Sequence, residues 1–407
     1  MDSVTDARFP SVEDSLKNRI PSKEWKCHDT KDYERIKKVG EGTFGVVFKA
    51  VYKKGGKDEK IVALKLVKFS EDQGFPVPAL REILIMKGLD HKNILKLKEI
   101  LYTPPNEKNK YRGNVYLVFP YMEHDFSGIR MSGHTFNLGQ IKYIFHEILS
   151  GISYLHKCKI IHRDIKSSNI LINYRGEIKI GDYGLARRDS KINNKRYTCK
   201  VVTICYRAPE LLLGSRDYGT EIDIWSIGCV FCELLTGVIL FKENNKEKDQ
   251  LRKIFSICGT PDEKNWPGVT KLPYWKDYVE KTDFQKCLRE QFKDNKNVDD
   301  ITFDLIQKLL QLNPKDRITA EEALNHQFFK EMPEMCKIKG LPKDNELHEY
   351  QTDKERKEIR NKLTDLKSKN NQEMEIGNRD FIGKKRNESA SKDVTPLKSD
   401  KKMKTNY

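Results

Sequence analysis

Gly40-Glu41-Gly42-Thr43-Phe44-Gly45 has the spacing G-x-G-x-x-G, in which backbone amides can approach phosphate oxygens with no Cβ in the way. The spacing alone is shared with dinucleotide-binding turns and with plain hairpins. Its flank separates these readings. A dinucleotide turn opens a helix at the third glycine, whereas Val46-Val47-Phe48-Lys49-Ala50-Val51 favours a strand. The glycines, with Glu41, Thr43, Phe44 and Val47, then form a strand–turn–strand lid over the phosphates of a nucleotide. Lys65 follows Gly45 by 20 residues, mid-strand in VALK, and Glu82 in the next helical stretch is a suitable counter-ion. Such a pair holds an ammonium group against α- and β-phosphate oxygens. His162-Arg163-Asp164-Ile165-Lys166-Ser167-Ser168-Asn169 supplies three further groups. Asp164 can orient a hydroxyl or take its proton, Lys166 can neutralise a γ-phosphate, and Asn169 is an oxygen ligand for Mg²⁺. Eighteen residues after Asp164, Asp182-Tyr183-Gly184 offers a second hard oxygen. Ala208-Pro209-Glu210 closes the series. Each piece alone has a structural explanation. Together, in this order, they describe transfer of a phosphoryl group from Mg²⁺-bound ATP to a hydroxyl.

The elements that must hold these residues come in two blocks. Before Tyr121 the text is strand-like: a glycine hairpin with Val46, Phe48, Ala50 and Tyr52 at period two, then IVALKLVKF, KNILKLKEIL and GNVYLVFPYM. One helix interrupts it, ALREILIMKGL, with Leu80, Ile83, Leu84 and Met86 at helical spacing. After Tyr121 come long amphipathic helices, such as GQIKYIFHEILSGISYLHKC and the stretch around Trp225. Strands first and helices later make an α+β protein.

The chain has 407 residues, 37% of them hydrophobic and 33% charged, with a net charge of +16. This supports a sizeable core and admits anionic partners without choosing among them. Nine scattered cysteines, with no apolar leader in MDSVTDARFP, read as free thiols in a reducing compartment. Cys229 and Cys232 lack a second pair at zinc spacing and read as one face of a buried helix. Asp223, Ser226, Glu233 and Thr236 interrupt that same stretch, so no membrane span is expected. Residues 341–407 carry 17 Lys+Arg against 13 Asp+Glu and only three aromatics. KERKEIRNKLTDLK suits a solvated helix, and the remainder reads as disordered.

The chain resembles a eukaryotic protein kinase from about Tyr33 to Phe329, which implies a bilobal fold with a β-rich N-lobe and a mainly helical C-lobe. Pro76-Val77-Pro78-Ala79-Leu80-Arg81-Glu82 and RYTCKVVTICYRAPELLLG narrow the resemblance to cyclin-dependent kinases. GEGTFGVVFKA, GFPVPALREI, NVYLVFPYMEHDFSG and LPKDNELHEY are most similar to the transcription-elongation branch. The implied units are an extension over 1–32, an N-lobe over 33–121, a C-lobe over 122–338 and a charged, largely disordered tail over 339–407. The resemblance implies Thr198 as an activating phosphosite held by Arg81, Arg163 and Arg187. It also implies that Val201 and Val202 form the pocket for a proline after the target residue. By the same resemblance Phe119 would back the adenine, Pro120 and Met122 would bond it, and Asp125 would contact the ribose. Asp223 would brace the catalytic loop, and Glu210 would pair with Arg317. Three departures stand out: Tyr183 where Phe is usual, Cys205 where Trp is usual, and Phe44 where cell-cycle members carry an inhibitory tyrosine.

The resemblance implies a nuclear serine/threonine kinase, bound to a cyclin, acting on the RNA polymerase II C-terminal repeats. It leaves open the cyclin, the preferred serine and whether Thr198 needs a separate activating kinase. Another cyclin-dependent branch is the alternative. A pseudokinase is opposed by Lys65, Glu82, Asp164, Asn169 and Asp182 all being present. A primary nucleic-acid-binding role lacks zinc spacing and RNA-recognition aromatics, leaving room only for a weak contact by the tail. GKKRNES and KSDKKMK are basic enough for nuclear import, and Thr395-Pro396 is a self-modification candidate.

Overall fold

In this computed structural model the described residues are 30–42, 45–54, 56, 60–67, 76–104, 107, 113–189, 197–243, 246–279 and 283–361. Thr43 and Phe44, the basic tail runs and Thr395-Pro396 therefore lie outside them.

The strand-like first block folds as an antiparallel sheet of β1 (Tyr33–Gly42), β2 (Gly45–Tyr52), β3 (Ile61–Val67), β4 (Glu99–Thr103) and β5 (Asn114–Pro120), in the order β1-β2-β3-β5-β4. Register sets Lys65 opposite Val47 on one side and Leu117 on the other, so the lysine stands beneath the lid. One face closes over Tyr33, Ala50, Val62, Leu64, Leu101 and Val118. The helix α1 (Val77–Lys87), entered through Pro76 and Pro78, turns Ala79, Glu82, Ile83 and Met86 inward. Leu80 and Leu84, expected within the same apolar pattern, face outward instead.

KNILKLKEIL is a strand only from Glu99. Its first half is taken by the helical lobe: Asn93 Nδ2 donates to Glu147 Oε2 (2.8 Å) and to the Ile178 carbonyl (3.1 Å), and Leu95 N donates to the Ile180 carbonyl (2.9 Å). A side-chain amide buried between two elements overrides the alternation of the apolar residues.

The second block is built on α2 (Phe126–Met131), α3 (Leu138–Lys157), α4 (Glu221–Thr236), α5 (Glu247–Cys258) and α6 (Asp300–Leu309). Asn137 and Gln140 cap α3 reciprocally, satisfying two of its first free amides. Helix α4 is buried nearly all round, Cys229 and Cys232 included, as expected for a central core helix. No helix among the described residues is long and apolar enough to cross a membrane. Short strands β6 (His124–Asp125), β7 (Ile160–Ile161), β8 (Ile170–Ile172), β9 (Ile178–Ile180) and β10 (Arg187–Arg188) carry the loops between the blocks.

Burial continues past the boundary expected at residue 338. Ile338, Leu341 and Glu346 are buried, and the packed chain runs on to Thr352. The tail's high charge hid this, because its two buried apolar anchors are isolated among polar residues. A second unit begins at Asp353, and its described part, residues 353–361, is helical and exposed.

Candidate active site

A cavity of about 320 Å³ lies between sheet and helices, bordered by Gly40, Gly45, Lys65, Met122, Asn169 and Asp182 among others. Its roof is the β1–β2 hairpin, with Gly40, Glu41, Gly45 and Val47 at the surface of the cavity. Phe119, Pro120 and Met122, the residues expected around an adenine, line the wall where β5 ends.

Lys65 Nζ donates to Glu82 Oε1 (2.7 Å) and to Asp182 Oδ1 (3.2 Å). Burial alone would lower the lysine's pKa, but the two carboxylates push it above the usual range and hold the cation. The Lys65 ammonium in turn holds the Asp182 carboxyl below its ordinary value. Three residues remote in sequence are thus one charged cluster under the lid.

The catalytic loop is pinned from the core. Asp223, buried in α4, accepts from the backbone N–H groups of His162 and Arg163, each at 2.9 Å. Arg163 sits at φ +66°, a strained conformation for a residue with a Cβ, and Asp223 over-determines it. Asp164 Oδ2 lies 3.0 Å from Lys166 Nζ, and its Oδ1 accepts from Thr203 Oγ1 at 3.2 Å. Asn169 Nδ2 donates to the Asp164 carbonyl (2.7 Å), which leaves the amide oxygen as its acceptor. Asp164 also keeps Lys166 charged against the cost of burial.

Two departures acquire explanations. The Tyr183 hydroxyl donates to the Ile180 carbonyl at 3.0 Å, and its ring packs edge-on against His162. Cys205 is partly buried against the main core, and burial pushes its thiol up to about 11. The Glu210–Arg317 pair is bidentate at 2.6 and 2.7 Å and buried. Arg163 Nη1 donates to the Tyr218 hydroxyl (2.9 Å), which donates to the Thr198 carbonyl (2.7 Å). Burial, with the positive charges of Arg163 and Arg81, lowers the pKa of Arg187.

The arrangement of Lys65, Asp164, Lys166, Asn169 and Asp182 in one cleft is matched at the level of the whole chain. A family model described as "Protein kinase domain" matches residues 33–329. The chain belongs to the protein kinase family. Within it, the kinase is 42% identical over 354 residues to cyclin-dependent kinase C-1 of Oryza sativa subsp. japonica, covering 84% of this chain and 67% of that one. It is 41% identical over 322 residues to cyclin-dependent kinase 9 of Bos taurus, covering 77% and 85% respectively. A crystal structure of the yeast RNA Pol II CTD kinase CTDK-1 complex superposes with a TM-score of 0.67 at 37% identity, covering 76% of this chain and 96% of that one. The chain spans about two thirds of the length of the plant relatives it matches. Members of the family use ATP and a divalent metal ion. The fit here is direct: Asn169 and Asp182 bring two hard oxygens to the cavity, and the described residues hold no cluster of three or more acidic, His or Cys ligands. An ion with so few protein ligands suits Mg²⁺ shared with phosphate oxygens.

Asp125, expected to contact a ribose, lines the cavity with both of its oxygens engaged. Its Oδ1 caps α2 by accepting from Gly128 N (2.7 Å), and its Oδ2 accepts from Glu349 N (2.9 Å). His348, Glu349 and Tyr350 border the cavity mouth, and none of them was expected there. The signal was present in LPKDNELHEY, but the surrounding charge argued for disorder.

Proposed function

We propose that this kinase, with a cyclin subunit and in the nucleus, transfers the γ-phosphoryl group of ATP to Ser-Pro or Thr-Pro hydroxyls of the RNA polymerase II C-terminal repeats. The observation that carries the reading is Asp164, fixed by Asn169, Lys166 and Thr203 beside the Lys65–Asp182 cluster. Mg²⁺-bound ATP supplies the transferable group. Lys65, steadied by Glu82, holds the inner phosphates, while Asn169 and Asp182 hold the metal. Asp164 orients the acceptor hydroxyl and takes its proton, and Lys166 neutralises charge on the transferred group.

The choice of proline has a backbone cause. Val202 is at φ +66°, and its carbonyl accepts from Arg207 Nη2 (3.0 Å) and Nε (3.3 Å), with Arg207 held by Glu247 at 2.6 Å. With that carbonyl engaged, an amide N–H after the target residue would lose a partner, whereas proline has none to lose. The printed names of the relatives and of the yeast complex support a cyclin and the repeat domain as partners.

The test is transfer to a repeat peptide by the cyclin-bound enzyme with Mg²⁺ and ATP. Asp164→Asn is expected to lower kcat by about 10²–10⁴-fold with melting unchanged. Absence of transfer by the wild-type complex would favour a scaffold in kinase form.

A further inference from the structure

Phe126, Arg130, Ser167, Glu233 and Leu235 border a second cavity of about 180 Å³, between α2, the catalytic loop and the end of α4. It stands back to back with the first. Asp125 and Lys166 line the first cavity, and their chain neighbours Phe126 and Ser167 line the second. One wall is a run of rings. Phe126 meets Phe136 edge-on with centroids 5.8 Å apart, and Phe136 meets His134 edge-on at 5.0 Å. Such a wall offers edges and faces to another ring. The volume exceeds the roughly 150 Å³ of an apolar protein cavity that takes benzene.

The floor is charged. The Glu233 carboxylate, only 4% exposed, accepts from the hydroxyls of Tyr206 and Ser167 through Oε2. Its Oε1 lies 2.6 Å from Arg130 Nε, yet neither atom makes a hydrogen bond of ordinary geometry among the described residues. Arg130 Nη1 has no partner among the described residues either. Buried polar groups are normally satisfied, so unused hydrogen-bonding capacity on a buried ion pair points to a ligand.

The cavity also lies where a substrate chain passes. Tyr206 ends the short turn Ile204–Tyr206 with its hydroxyl against Ser167 and Glu233. The next residue, Arg207, reaches the other way, to the Val202 carbonyl and to Glu247 on α5. A peptide with its acceptor hydroxyl at Asp164 and its proline at Val202 therefore sends its preceding residues past Ser167 toward α2.

We propose that this cavity is a substrate subsite for a tyrosine side chain on the N-terminal side of the phosphorylated residue. The ring packs among Phe126, Phe136 and Leu235, and the hydroxyl donates to Glu233 and accepts from Arg130. This rests on the reading of the chain as a kinase of the polymerase repeats. A phenol carries both a donor and acceptor lone pairs, which matches a carboxylate and a guanidinium side by side. A basic side chain would meet Arg130 already in place, and an aliphatic one would leave the ion pair as it stands.

The experiment is steady-state kinetics of the full-length, cyclin-bound kinase on repeat peptides whose tyrosines are kept, replaced by phenylalanine or replaced by alanine. Loss of the hydroxyl should lower kcat/KM about tenfold, because a hydrogen bond to a charged group goes with it. Loss of the ring should lower it by about a further tenfold. Arg130→Met is expected to bring the tyrosine-to-phenylalanine ratio of kcat/KM close to one while the phenylalanine-to-alanine ratio persists. Phe136→Ala should shrink the second ratio. A general loosening of the catalytic loop would scale all three peptides together and move neither ratio. Melting of each variant is the folding control, and the wild-type series stands even where a variant fails to fold. Equal kcat/KM of the wild type on the three peptides would overturn the subsite while leaving the kinase reading standing, as would folded variants that keep the wild-type ratios. Transfer to none of the peptides would remove the repeat reading and the subsite with it.

Discussion

Arg187 carries the clearest electrostatic sign of regulation. Burial and the neighbouring cations Arg163 and Arg81 bring its guanidinium down to about 10, still charged at neutral pH. A phosphate on Thr198, whose side chain is exposed and whose carbonyl is tied to Arg163 through Tyr218, would supply a counter-charge. One modification would then draw α1, the catalytic loop and the activation segment into a single arrangement. Thr198→Ala is therefore expected to lower turnover of the cyclin-bound enzyme at least tenfold, equivalent to about 1.4 kcal/mol of barrier. Its melting temperature should match wild type, because the exposed hydroxyl supports no buried packing. Steady-state kinetics beside a thermal melt checks both halves, and equal turnover would refute the three-arginine argument.

At the scale of elements, α1 has two faces with different tasks. Its inner face presents Glu82 to Lys65, and its outer face leaves Val77, Leu80 and Leu84 at 55%, 48% and 44% exposure. Spacings of three and four residues align these three into one apolar stripe. A helix that aims a catalytic counter-ion while exposing such a stripe suits control by a partner, and a cyclin fits the reading above. Leu80→Asp with Leu84→Asp is expected to abolish co-purification with the cyclin and leave melting of the free chain unchanged. Retained binding would place the cyclin contact elsewhere. The same helix marks the limits of sequence reasoning. Its residues and those of the catalytic loop were legible because phosphate chemistry restricts residue type and spacing. Which of Leu80 and Ile83 faces outward was not, since periodicity defines a face but not the neighbour it meets. The strand expected from Lys92 failed for a related reason: Asn93 finds Glu147 on α3, a partner 54 residues away that no local pattern announces.

The whole molecule is held together by more than its two lobes and hinge. The charged composition after Ile338 argued for a solvated tail, yet Leu341 is buried and Glu346 closes an ion pair with Lys49, 297 positions earlier in the chain. Composition averages over a window, so it misses a segment anchored by a few residues in a prepared groove. The compact unit accordingly runs on to Thr352. Stopping the chain after Thr352 should preserve its melting temperature. Stopping it after Ile338 removes the Leu341 side chain, worth about 1.5–3 kcal/mol when fully buried. It also leaves Lys37 and Lys49, which face each other across the β1–β2 hairpin, without the Glu346 carboxylate that both reach. For a folded unit of this size each kcal/mol shifts melting by roughly 1–2 °C, so the shorter form should melt a few degrees lower. Equal melting of the two truncations would mean that residues 339–352 add nothing to the fold and that their ion pairs with the hairpin are only superficial.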